Sequence, residues 1–411
     1  MIRRRMRIGA LLILATLILV ALADLVGARF LQADERRLND VIAHARDRAS
    51  GYRRITVDAS PLDENAAVHY QLAYKELQPS TNDALARVLR AATRDEPATW
   101  ETVFRQDCRE ISSPRVSTAL RCTRCDWMLY LQSGEPPGFP FFPQTAILGY
   151  CVVLAGRLEQ QAGNGRAAAD RYFQALAYAS DVSQGSSPMA LPGILVSKAA
   201  LRSLAQLTAS VHEAAPLLPI IKQKLSMFRG RMPSLTPGLS EDSAQLAHDL
   251  YQIERSAIDR PRTPLRRLWP WRAIAAWQLW RSVRLAAGLD VASSIVDLDQ
   301  LRQLGPQIDR DGAPGRAAVV YRLDERWGKM IQEIEMVQEL FAAVQTSVPL
   351  QEWRVAHGSY PGTLPASQVS PAYDLSYRPS SNNHQYQLVS RTGAVVLDVN
   401  DGATGATDPK N

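Results

Sequence analysis

The chain has 411 residues, of which 46% are hydrophobic and 21% charged, so it is apolar enough to bury a sizeable core. About 380 residues follow the N-terminal segment, enough for two or three domains. The net charge of +6 comes almost wholly from arginine, because lysine occurs only at Lys75, Lys198, Lys222, Lys224, Lys329 and Lys410. Such basicity suits anionic partners. Behind an export segment it points to lipid or an acidic envelope component and away from nucleic acid.

The arginine-rich, lysine-poor composition is one that accompanies high-GC bacterial genomes. Met1–Arg7 carries Arg3, Arg4, Arg5 and Arg7, and Ile8–Ala23 then runs sixteen residues without a charge. From Ile8 to Leu31 the only interruptions are Thr16, Asp24 and Arg29. A bilayer core needs about 20 apolar residues, which this segment supplies when Leu25–Leu31 is included. Ala21-Leu22-Ala23 before Asp24 also fits a signal-peptidase site. Retention as an anchor is the preferred reading, because apolar residues resume at Leu25-Val26. In either case the arginines stay cytoplasmic. The expectation is a single-pass inner-membrane protein with its bulk in the periplasm.

Composition divides the chain into a signal anchor or signal peptide (1–31), a helical stalk with a Cys/Pro-rich segment (32–145), a helical domain (146–310), and a long helix with a small β tail (316–411). Leu31–Tyr52 reads as a charged helix continuing the anchor. Asp58–Glu64 is a turn region. Asn65–Leu77 is an amphipathic helix with Leu72 and Leu77 on its apolar face, Ala66, Tyr70 and Ala73 close by, and Asp83–Thr93 is a short helix. The four cysteines, Cys108, Cys122, Cys125 and Cys151, fall within 44 residues. In an oxidising compartment this set supports up to two disulfides, with three connectivities open. Cys122-Thr123-Arg124-Cys125 also has the spacing of a redox pair or of half a zinc site. The strand-then-helix context of a thioredoxin is not evident, and the spacing of the four cysteines follows no zinc pattern. No metal or cofactor is assigned. Ser133–Pro143 (SGEPPGFPFFP) must be a rigid loop.

Ala146–Gln161 is an apolar helix, broken at Gly163-Asn164-Gly165 and followed by a second helix, Arg166–Ser180. Leu154-Ala155, Gly163, Ala168, Tyr172, Ala175 and Leu176 make this pair resemble one tetratricopeptide-type hairpin. No second copy recurs at that period, and an ordinary antiparallel pair in an α-bundle explains the same pattern. Further helices fit Ile194–Thr208, Ala215–Phe228 and Ser240–Ile258, the last capped by Ser240 after a Pro233/Pro237/Gly238 loop.

Arg260–Leu289 holds seven arginines, no acid and four tryptophans. Arg266, Arg267, Trp269, Trp271, Arg272, Trp277, Trp280, Arg281 and Arg284 are the candidate contacts to a membrane interface or an anionic partner. Indole rings sit at headgroup depth and guanidinium groups meet phosphate. Ile274, Leu279, Val283 and Leu285 surround this helix rather than lining one face, which fits burial between neighbours as well. After a Gly305–Gly315 loop, Arg316–Val348 is a long helix with the stripe Met330, Ile334, Val337, Leu340, Phe341 and Val344. Glu333, Glu335 and Glu339 are expected to solvate it.

The tail begins at Leu350, with a helix ending at His357-Gly358. Tyr360-Pro361, Leu364, a strand at Leu375–Arg378, a turn at Ser380–Asn383, a strand at Tyr386–Ser390 and a glycine turn into Val395–Leu397 follow. His357-Gly358, Tyr360-Pro361, Leu364, Tyr377, Tyr386, Leu388, Ser390, Gly393, Asp401 and Gly402 make it resemble the C-terminal part of type II secretion pseudopilins and of many bacterial envelope proteins. The N-terminus has no prepilin cleavage site, so filament assembly is not implied. Asp398, Asn400, Asp401 and Asp408 read as a solvated tail rather than a calcium loop. The histidines form no ligand pair at helical spacing, and no G-x-S-x-G occurs.

The expected fold is mainly α: a membrane-anchor helix, a helical bundle or repeat-like centre, and a small C-terminal α+β element with a short antiparallel sheet. The expected function is a non-enzymatic scaffold or interaction protein with a protein partner in the envelope, linked to envelope or secretion machinery. Its alternatives are an envelope hydrolase of unrecognised type and a thiol–disulfide protein using Cys122 and Cys125. No catalytic residue is assigned, and the small-molecule ligand is unspecified.

Overall fold

Fifty residues from Ile2 to Gly51 form one unbroken helix, α1. The structure, a computed structural model, describes residues 2–52, 54, 61–76, 82–94, 96–108, 114–127, 142–185, 187–210, 215–229, 232, 236–259, 271–293, 300, 303, 323–364, 375–390, 395–400 and 403–405. After α1 come β1 (Leu62–Asn65), α2 (Ala66–Glu76), α3 (Asn82–Thr93), α4 (Pro97–Asp107), α5 (Pro114–Arg121) and β2 (Cys122–Arg124). The centre holds α6 (Phe142–Gln161), α7 (Gly165–Val182), α8 (Ser187–Ala209), α9 (Leu218–Phe228), α10 (Thr236–Asp259) and α11 (Trp271–Ala292). Last come α12 (Leu323–His357) and β3 (Ser376–Pro379), β4 (Tyr386–Val389), β5 (Val395–Asn400) and β6 (Ala403–Gly405). The fold is mainly α, with a long apolar N-terminal helix and a small antiparallel sheet at the C-terminus.

Contacts divide the chain into two units, each discontinuous in sequence. One comprises 1–51, 128–136 and 239–328, and the other 52–127, 137–238 and 329–411.

In the first unit α1 changes character along its length. Leu11–Leu19 are all exposed, as are Leu22, Leu25, Val26 and Phe30. Beyond Asp24 a buried stripe appears at Gly27, Leu31, Asp34, Leu38, Val41 and Ala45. The steps of four and three residues are those of a coiled-coil seam. The seam packs on α11, whose buried Ala276, Leu279, Val283 and Ala286 follow the same spacing. The two helices run parallel, because Asp24 meets Arg272 at one end and Arg48 meets Asp290 at the other. A Cβ on Gly27 would stand 2.3 Å from the Ala273 backbone nitrogen, so only glycine permits this approach. At the far end Arg48 Nη1 donates to Ser240 at 3.2 Å, to Asp290 at 3.0 Å and to Ser293. Ala45 packs with Ala244 of α10. Ser240 therefore does not cap α10. The helix starts earlier, at Thr236, with Pro237 in its first turn, where a missing N–H costs no bond.

In the second unit α6, α7 and α8 pack against one another, with α3 and α4 on α6. Leu154, Ala168, Tyr172, Ala175 and Leu176 are all buried. The hairpin turns at Gly163, whose φ of 81° lies in the left-handed region. Helix α8 begins at Ser187, seven residues before the expected start, and carries Pro192 inside it. Burial of Ala190 and Ile194 on either side of Pro192 outweighs the lost hydrogen bond. Helices α4 and α5, absent from the sequence reading, both open on a proline, Pro97 and Pro114. On α2 the buried positions are Ala66, Ala67, Tyr70, Ala73 and Tyr74, whereas Leu72 is only half-buried and Leu77 lies outside the described residues. The tyrosines win that face because their hydroxyls find buried partners. The α12 stripe begins at Ile331 rather than at half-buried Met330.

The sheet is an antiparallel meander in the order β3-β4-β5-β6. Helix α12 ends at Gly358, with φ 80° and its N–H bonded to the Arg354 carbonyl at 2.8 Å. Tyr360 then turns back: its hydroxyl accepts from Gln351 Nε2 at 2.7 Å, and its ring meets Tyr386 edge-on at 4.7 Å. Tyr377 donates to the Pro361 carbonyl at 2.7 Å. The residues of the H-G-x-Y-P stretch thus fasten the sheet to the helix.

Candidate functional site

The arginine- and tryptophan-rich segment is the first candidate. Arg266, Arg267 and Trp269 lie outside the described residues, and Trp271 and Arg281 are placed by backbone only. The N-terminus of α11 meets α1 at Asp24, where the uncharged run Ile8–Ala23 stops. The Arg272 backbone N–H donates to Asp24 Oδ1 at 3.0 Å, and its guanidinium lies 3.7 Å from the same carboxylate. This pair gives the one acid of the apolar stretch a partner. Ala273 is level with Gly27, so in parallel helices Trp277 is level with Leu31, at the outer end of the apolar segment. Trp277 is 73% exposed. Trp280 is also exposed, and the Arg284 guanidinium lies 5.3 Å from its ring centroid. The buried stripe of α11 faces the seam, and its tryptophans 277 and 280 do not.

The second candidate surrounds the cysteines. Cys108 and Cys151 are joined, linking the end of α4 to α6. The second expected bridge is not formed, because the two remaining thiols point to different partners. Cys122 donates to the Thr118 carbonyl at 3.3 Å, and Cys125 lies 3.9 Å from the Asp181 carbonyl. Both are buried, and burial pushes both thiols up, Cys125 strongly.

Beneath them is a fully buried ion pair, Arg54 Nε to Asp181 Oδ2 at 2.5 Å. Arg54 also donates to the carbonyls of Ala119 and, at 2.8 Å, of Cys122, and to the Tyr70 hydroxyl at 2.8 Å. Tyr70 donates to Asp181 at 3.0 Å, Tyr52 to Asp181 at 3.4 Å, and Trp127 Nε1 to the Asp181 carbonyl at 2.7 Å. Burial raises the Asp181 carboxyl, while Arg54 pulls it back. Burial likewise lifts the phenols of Tyr52 and Tyr70 far above their ordinary value. This hub ties α2, α5, the CxxC segment and α7 together.

One edge of the hub is open. Glu64 at the end of β1, His69 in the second turn of α2 and Cys122 at the start of β2 offer a carboxylate oxygen, an imidazole nitrogen and a thiol sulfur, all within 4.8 Å of one another. His69 Nε2 is 2.7 Å from Glu64 Oε2. Parallel pairing of Leu62 with Cys122 brings the two strands together. Asn65 completes the junction: its Oδ1 accepts from Ala67 and Asp126, and its Nδ2 donates to the Asp126 carbonyl at 2.9 Å. The sequence reading missed this trio because it looked for histidine partners four residues along a helix, and Glu64 lies five residues back across a strand-to-helix turn. Glutamate, histidine and cysteine are also the components of a cysteine-nucleophile triad. A buried thiol with a raised pKa, spent on a carbonyl, is a poor nucleophile.

The other candidates disperse. Glu333 pairs with Lys198 at 3.4 Å, and Glu335 and Glu339 are half-buried rather than solvated, with burial and then the Glu335 charge raising Glu339. His44 meets Asp290, and His357 stacks on Trp353 with ring centroids 4.1 Å apart. Asp398 accepts from Gln387 at 3.1 Å, while Asp401 and Asp408 lie outside the described residues. Comparison with known protein families, with curated proteins and with solved structures gives no match to any of them.

Proposed function

We propose that this chain is a single-pass inner-membrane scaffold whose bulk faces the periplasm and engages a protein partner of the envelope. The observation that carries the reading is the continuity of α1. One helix holds an exposed apolar run and, immediately after it, a heptad seam with its own dedicated partner helix. Cleavage after Ala23 would leave Asp24 as a free N-terminus at the point where α11 docks. The Cys108–Cys151 bridge suits an oxidising compartment, the side to which the N-terminal arginines direct the bulk. A thiol-exchange role draws no support from two buried thiols with raised pKa values.

The test is mild cross-linking of the tagged protein in native membranes, followed by capture and reading of its N-terminus. A discrete partner held by a chain with its N-terminus intact is expected. A chain beginning at Asp24, with no partner, would end the scaffold reading.

A further inference from the structure

We infer that Glu64, His69 and Cys122 form a binding site for a zinc-class divalent ion, with three protein ligands and a fourth position open to water. The three donor atoms come from β1, α2 and β2, and all lie within 4.8 Å of one another. In a tetrahedral zinc site with bonds of about 2.0–2.3 Å, neighbouring ligand atoms stand about 3.3–3.7 Å apart. Side-chain shifts on the order of 1 Å therefore suffice: the 2.7 Å contact between His69 and Glu64 opens slightly, and the sulfur closes on the other two. Glu64 is exposed and His69 half-buried, which provides an entry path, while Cys122 closes the inner wall.

The donor set selects the metal. Thiolate with imidazole suits zinc and its neighbours, and calcium or magnesium would require oxygen ligands throughout. The frame is rigid where it must be. The Arg54 guanidinium holds the Cys122 carbonyl at 2.8 Å, and the Asn65 side chain clamps the segment after the CxxC pair at 2.9 Å. Cys125 takes no part, since its sulfur is turned to the Asp181 carbonyl. Ligation exchanges the Cys122 S–H, with its 3.3 Å bond to the Thr118 carbonyl, for a metal–sulfur bond, and the proton leaves to solvent.

Cobalt(II) is the direct probe, because a thiolate ligand gives it a near-ultraviolet sulfur-to-metal charge-transfer band. The full chain, purified in detergent under reducing conditions without a histidine tag, would be titrated with cobalt and then with zinc. The inference expects one equivalent to bind with that band and zinc to displace it. The band should persist in Cys125→Ser and vanish in Cys122→Ser. His69→Gln and Glu64→Gln sit at the accessible rim, so they test the site without opening the core. Each should weaken binding by about tenfold or more, a loss that even an outer partner of a ligand commonly causes. Absence of the band in reduced wild-type protein would overturn the inference. So would unchanged affinity in both rim variants, or loss of the band in Cys125→Ser, either of which would mean thiols binding cobalt without the trio.

Discussion

Asp181 shows how a buried charge is retained in this chain. Its carboxylate meets one guanidinium and two phenols, and its carbonyl takes an indole N–H. A buried ion pair adds little net stability over a well-packed apolar pair, but losing one partner strands the other charge. Asp181→Asn should therefore cost about 3–5 kcal/mol, and the double variant Arg54→Met with Asp181→Leu should recover much of it. Denaturant unfolding followed by near-ultraviolet circular dichroism measures both. A loss in Asp181→Asn no larger than the ~0.5 kcal/mol of an ordinary surface change would show that the hub is not a core. None of this was legible in the sequence. Arg54 is one of many arginines, and no local pattern announces that it will meet an aspartate 127 residues away. The Glu64, His69 and Cys122 trio was hidden for the same reason. Its members are contiguous in space only because β1 pairs with β2.

Among the elements, α1 was the most legible, while α4 and α5 were missed and the buried side of α11 was not readable. The apolar run, the charged continuation and the absence of any break all predict one long helix, and one long helix is present. The α11 sequence places apolar residues around the whole circumference, so periodicity could not choose its buried side. The choice is made by α1, whose heptad stripe presents glycine and alanine at its ends and leucine, aspartate and valine between them. Gly27 is the test position. Gly27→Leu would drive a side chain into the Ala273 backbone, an overpacking that costs about 1–3 kcal/mol. Limited proteolysis in detergent should then cleave α11 where the wild type resists. Resistance equal to the wild type would mean that α11 does not depend on the seam. Proline shows the opposite failure of local reading. Pro237 reads as part of a loop and Pro192 lies just before the expected start at Ile194, yet both lie inside helices. One is overridden by burial on both sides, and the other occupies a first turn where its missing N–H is harmless.

At the scale of the molecule, a helix long and apolar enough to cross a membrane and its partner helix predict a depth. Asp24 meets Arg272 where the uncharged run stops, and Trp277 stands level with Leu31, the outer end of the apolar segment. Tryptophan is enriched at this level of a bilayer. A spin label introduced by Trp277→Cys in the full chain, reconstituted into anionic vesicles, should report the headgroup region by its balance of oxygen and polar-quencher access. Full exposure to the aqueous quencher would place α11 clear of the membrane and favour a protein contact for its tryptophans.

The sequence alone determined what local chemistry controls: an arginine-flanked apolar run, the helical periods, and the turn residues of the C-terminal meander. The H-G-x-Y-P stretch was legible for the same reason, since Gly358 and Pro361 act on their own backbone. Tertiary structure decided which elements pair. It joined α11 to α1, set Arg54 against Asp181, left Cys122 and Cys125 unbridged, and assembled a carboxylate, an imidazole and a thiol at one edge. Periodicity says which side of a helix will be buried but not what will bury it. That depends on shape and charge matching between segments far apart in the chain, which no window of local sequence contains.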